Sequence, residues 1–262
     1  MNNDLNQDIA KELVSQTAGK AYDDLAHPSA HATGQLISFI PRTIKVWLSK
    51  WEKWILNGEY VIKETEHLLE EKLKKFSEEK IIEPEPYVAV PALQQLSYSL
   101  DSEELRKIYA NLLASSMNID TKDEVHPSFV DIVRQLSPLD AKALEIIKQK
   151  ENPFPIITSR LNFNENNTFL EIVRDYSIVL YPIYQNPVLM AASLQNLNRL
   201  GIIYLRYDQM VKPDNVYDAF ETDAIYQQIK EQFQIPNTNI TIEKGLVELT
   251  DFGLQFCKIC CE

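Results

Sequence analysis

Between Leu105 and Met117 the apolar residues Leu105, Ile108, Tyr109, Leu112, Leu113 and Met117 recur three or four positions apart, which gathers them on one broad helical stripe. Asp101-Ser102-Glu103-Glu104 just ahead is a helix start, because a serine can cap free amides and acidic residues suit the positive end of the helix dipole. Upstream, Leu69, Leu73 and Phe76 keep the same spacing in a charged amphipathic segment over 59–76. Pro84 and Pro86 predict an extended connector, and Pro91 fits the first turn of a helix holding Leu93 and Leu96. A further helix starts near His126-Pro127 and carries Phe129, Val130, Ile132, Val133 and Leu136. Ser137-Pro138-Leu139-Asp140 then restarts the chain as a cap with Pro at the first helical position.

The first 57 residues are read as two helices. One covers 2–25 and is broken by His27-Pro28-Ser29; the other runs from His31 to Leu56, is kinked near Pro41, and stops at Asn57-Gly58. After Lys150 the texture changes. Pro153-Phe154-Pro155-Ile156-Ile157 predicts a short β entry, and 169–180 is compatible with either helix or strand. A helix over 187–200 ends at Gly201, followed by a strand over 202–205, a helix over 217–233, a strand within 240–249, and a last helix capped by Thr250-Asp251. The order suggests a mainly α protein. A helical region over 1–136 comes first, as an N-terminal helical bundle. A winged-helix-like α+β unit over 137–262 follows, with a long insert in the wing.

Composition supports a folded helical chain. The 262 residues are 45% hydrophobic and 24% charged, with only 6 glycines, few for a dinucleotide-binding fold with Gly-rich loops. A net charge of -12 works against nucleic-acid binding, which needs a surplus of Lys and Arg. Met1 to Ala21 is charged throughout and predicts no secretory signal; no stretch approaches the roughly 18–20 apolar residues of a spanning helix. The 3 cysteines, Cys257, Cys260 and Cys261, are too clustered for a secreted disulfide framework. The cytoplasm is the expected location, with the surface of the inner membrane as the alternative.

Several segments carry a resemblance. Pro91-Ala92-Leu93, Leu105 to Met117 with Arg106, Asn111 and Ser115, His126-Pro127-Ser128-Phe129-Val130, and Gln135-Leu136-Ser137-Pro138 together resemble the abortive-infection alpha family of bacterial phage-defence proteins. Asn196 to Ile203 and Leu249-Thr250-Asp251-Phe252-Gly253 are similar to its C-terminal pattern. The family-like core spans 80–136. The resemblance implies a role in defence and no particular reaction. Arg106, Asn111, Ser115, His126, Pro127 and Phe129 are its motif residues, read as structural.

Candidate chemistry is sparse. His27 and His31 lie four apart, but no third ligand is near and Pro28 disturbs the helix, so no metal is expected. The single C-x-x-C of Cys257 and Cys260 lacks the second pair that structural zinc needs; buried thiols filling a terminal helix are the simpler reading. His126 and Ser128 invite a catalytic reading, but residues two apart do not face each other on a helix, and a helix start explains them better. Glu103, Glu104 and Arg106 read as a solvated helix start, with Arg106 free to pair with a carboxylate on a neighbouring helix. No phosphate loop, nucleophile elbow or H-E-x-x-H helix occurs.

The resemblance implies a defence protein, and these absences favour one that is non-enzymatic, without cofactor, and acts through contacts with a phage or host protein. Trp47, Trp51 and Trp54 share one helical face beside Lys45, Lys50 and Lys53, and form the candidate interaction surface. A membrane surface is the alternative partner, since Trp with flanking Lys suits an in-plane amphipathic helix. A DNA-binding regulator is disfavoured: residues 151–262 are more acidic than basic, and 187–200 offers only Arg199.

Overall fold

The computed structural model describes residues 58–99, 101–150 and 153–261, with Val46 and Ser49 upstream. Trp47, Trp51 and Trp54 lie outside the described residues, as do His27 and His31.

The first described half is helical. Helix α1 spans Gly58–Leu73, α2 Pro86–Tyr98, α3 Glu103–Ser116, α4 Ser128–Arg134 and α5 Pro138–Gln149. Local chemistry explains the boundaries. The Ser102 hydroxyl accepts from the Leu105 amide at the start of α3. At α5, Ser137 and Asp140 form a capping box: the Ser137 hydroxyl accepts from the Asp140 amide at 3.1 Å, and the Asp140 carboxylate accepts from the Ser137 amide at 2.8 Å. Pro91, expected at a first turn, lies inside α2, and Pro86 takes the first position instead. The missing N–H of Pro91 leaves the carbonyl of Tyr87, an exposed residue, without its helical partner.

The second half contains the larger departure. Strands β1 (Phe154–Phe163), β2 (Thr168–Tyr176), β3 (Ile203–Arg206) and β4 (Thr238–Leu249) form one antiparallel sheet in the order β2-β1-β4-β3. Helices α6 (Tyr181–Tyr184) and α7 (Pro187–Arg199) follow β2. Helices α8 (Asp218–Glu221) and α9 (Ala224–Gln232) precede β4, and α10 (Asp251–Cys260) ends the chain.

The protein is therefore mixed α+β. The expectation of a mainly α chain, a bundle followed by a winged-helix-like unit, is overturned by this four-stranded sheet. The physical reason is strand length. The short entry expected at 153–157 is a strand of 10 residues that pairs along its whole length with β4, from Phe154 opposite Val247 to Phe163 opposite Thr238. It turns back through Asn164 to Asn167, with Asn167 in the left-handed region at φ 55 where asparagine is tolerated, and so builds the β1–β2 hairpin. The ambiguous stretch 169–180 is strand as far as Tyr176. The helix expected over 217–233 is broken into α8 and α9, where Asp223 caps α9 and also accepts from the Tyr176 hydroxyl at 2.9 Å.

One apolar cluster runs from Leu69 and Leu73 of α1 through Leu93, Leu112 and Phe129 to Leu194, Val247 and Phe256. Between α5 and α7 it encloses a polar knot. Ser193 donates to Asp140, Tyr184 and Ser193 share a hydrogen bond of 2.5 Å, and Asn196 donates to Asp140 at 3.3 Å. Each buried polar atom there has a partner, as burial demands.

Leu112 has no exposed surface. Leu112→Ala is expected to cost about 2–5 kcal/mol, read as a lowered urea midpoint with an unchanged slope.

Candidate functional site at the last helix

The motif residues converge on α10. Asn111 and Ser115 stand on the same face of α3, one turn apart. The Asn111 amide donates to the Cys260 carbonyl at 2.8 Å, and the Ser115 hydroxyl donates to the Ile259 carbonyl at 3.1 Å. The last carbonyls of a helix have no partner within it, so these two side chains supply what α10 lacks. Lys148 of α5 donates to the Cys261 carbonyl at 3.2 Å. On the other flank, Phe129 packs its ring against Phe252 and Phe256, with centroids 5.4 and 5.3 Å away, and the His126 ring meets Phe252 edge-on at 5.8 Å. Gln255 donates to the Glu124 carbonyl at 2.8 Å, and Lys258 pairs with the Glu124 carboxylate.

The start of α10 is held by the other half of the motif. The Thr250 hydroxyl donates to the Gly201 carbonyl at 2.5 Å and accepts from the Gly253 amide at 2.7 Å. The Thr250 amide donates to the Ile202 carbonyl at 3.0 Å. Gly201 ends α7 at φ 75, a backbone that favours glycine. Gly253 lies against the Ile202 carbonyl, and a Cβ there would overlap it.

His126 and Ser128 do meet, at 2.6 Å, because His126 precedes α4 rather than lying within it. The same His126 Nδ1 accepts from the Ser128 amide at 3.2 Å, a helix-capping arrangement that satisfies a free N–H. Pro127, exposed, takes the N-cap position of α4. Arg106 makes no ion pair among the described residues, and its Nε is buried without a hydrogen-bond partner.

A cavity of about 410 Å³ opens between α1, α3, α5 and α10. Leu68, Ile108 and Ala141 line it with apolar surface, together with Cys260, Cys261 and the exposed Glu71 and Glu145. Asn111 and Lys72 also line a smaller neighbour of about 150 Å³. The thiols here are held protonated. A hydrogen bond to Cys257, then burial, pushes the Cys261 thiol up; burial does the same to Cys260. Burial also raises the hydroxyl of Tyr109, and that of Tyr184 to about 12. Among the described residues no cluster of His, Cys, Asp or Glu could hold a metal ion.

Asn111, Ser115, His126 and Phe129 were legible in the sequence as motif residues, but their common destination was not. Lys148, Gln255, Glu71 and Glu145 carried no signal at all, because only packing brings them to α10.

A family model described as abortive infection alpha matches residues 57–260. The chain belongs to the abortive infection alpha family. No curated protein and no solved structure matches it. The match begins where α1 begins and ends with α10, so the contacts of Asn111, Ser115, Phe129 and Thr250 with the last helix lie within the abortive infection alpha region.

Two outcomes follow from this geometry. Gly253→Ala is expected to destabilise the protein by about 1–3 kcal/mol, seen as a lower melting temperature, because the added methyl meets backbone rather than a movable side chain. The raised thiols make stability pH-dependent. The unfolded chain releases thiol protons near pH 8.5, while the folded chain keeps them. The melting temperature is thus expected to hold below about pH 8.5 and to fall progressively above it, and Cys260→Ser/Cys261→Ser should flatten that decline.

Proposed function

We propose that this abortive infection alpha protein acts in phage defence through contact with another protein, of phage or host origin, and carries no reaction of its own. The supporting observation is where the motif residues point. Asn111 and Ser115 are spent on carbonyls of their own chain, Phe129 on the rings of α10, and His126 on capping α4. A reaction centre directs such groups at a substrate. The neighbouring thiols, held protonated, are poor nucleophiles at neutral pH.

A contact surface is available on α7. Val188 and Leu189, in its first turn, are 75% and 51% exposed. Adjacent large apolar side chains in water suit a protein contact. The prevailing acidic charge suits a basic or neutral partner better than nucleic acid.

Cross-linking and affinity recovery of the tagged protein, from infected and uninfected cells, tests the reading. A specific partner is expected that is lost with Val188→Asp/Leu189→Asp, along with protection, while the melting temperature stays within about 2 °C. Protection that persists with no specific partner would count against it.

A further inference from the structure

We propose that the cavity between α1, α3, α5 and α10 binds a small aliphatic diamine or polyamine. Its volume of about 410 Å³ lies in the range of small-molecule sites. The chemistry of its wall selects the ligand. Glu71 on α1 and Glu145 on α5 line it from two sides, and neither makes an ion pair among the described residues. Leu68 and Ile108 also line it and offer apolar contact to methylene groups.

Asn111 adds an acceptor. The residue is 8% exposed, and its amide nitrogen is committed to the Cys260 carbonyl. Its amide oxygen hydrogen-bonds no other described residue, and Asn111 lines the cavity, so the oxygen remains available to an N–H donor. The C-terminal end of α10 also faces this space and carries partial negative charge, which favours a cation. Lys148 already places an ammonium on the Cys261 carbonyl of that turn, an internal example of the same chemistry.

Lys72 and Lys107 line the same cavity, Lys72 in the field of Glu71 and Lys107 in that of Glu145, and a dication competes with them for these carboxylates. Lys107 is tied to Glu103 at 2.6 Å. Burial, followed by the charge of Lys75, disfavours the charged form of Lys72. The chain's net charge of -12 raises the local concentration of any cationic ligand. A bare divalent ion fits less well, since apolar side chains supply no oxygen ligands.

Isothermal titration of the full chain at fixed ionic strength, with 1,4-diaminobutane and its neutral isostere 1,4-butanediol, tests the proposal. Saturable binding of the diamine at one site is expected, with no heat from the diol over the same range. Glu71→Gln/Glu145→Gln should weaken the diamine by about tenfold or more at an unchanged melting temperature, the loss expected for charge-assisted hydrogen bonds. Methyl NMR of Ile108 should shift with the diamine in the parent protein. Three results would overturn it: no saturable binding, equal binding of the diol, or equal binding by the double variant. Shifts scattered over the acidic surface, and abolished by equivalent sodium, would likewise show counterion binding and overturn it.

Discussion

Asn111 and Ser115 reach carbonyls 149 and 144 positions further along the chain, and the rest of the described structure is arranged around that closure. Joining segments so far apart costs loop entropy, which grows slowly with length but has to be offset by the contacts made. The offset here is local and dense. Phe129, Phe252 and Phe256 bury their rings together, Thr250 ties α10 to the end of α7, and Gly253 lets two backbones touch. The last helix thus belongs to the same core as α3 and α4, and the sheet adds Phe154, Ile156, Ile203 and Val247 to it.

This placement has chemical consequences. A helix end normally leaves carbonyls to water, but at the end of α10 side chains of α3 and α5 take three of them. Cys260 at the end of α10 and Cys261 just after it lie here; burial pushes the Cys260 thiol up, and a hydrogen bond to Cys257 followed by burial does so for Cys261. The abortive infection alpha match takes in both α3 and the α10 carbonyls that it holds.

The local elements were legible wherever a short-range rule acts alone. The Ser102 cap, the capping box at Ser137 and Asp140, and the Thr250 cap each depend on residues three apart, and each formed. Pro91 misled because proline marks a first turn only when nothing earlier can start the helix, and Pro86 did. The β1–β2 hairpin was missed because polar Thr158, Ser159 and Asn162 interrupt the apolar pattern of β1. Thr158 and Ser159 are nevertheless buried, Thr158 sharing a hydrogen bond of 2.8 Å with Tyr207.

By itself, then, the sequence determined where most helices begin, that α3 would form with a broad apolar stripe, and which family the chain resembles, because spacing, capping and motif all act within one element. Only the tertiary structure decided that the protein is α+β. Strand pairing between β1 and β4 joins segments some eighty positions apart, and no local pattern specifies a partner at that distance. The same holds for the site. Asn111 and Ser115 look like ordinary polar residues on a helical stripe, and their role appears only when the chain folds back and brings the unsatisfied carbonyls of α10 within hydrogen-bonding reach.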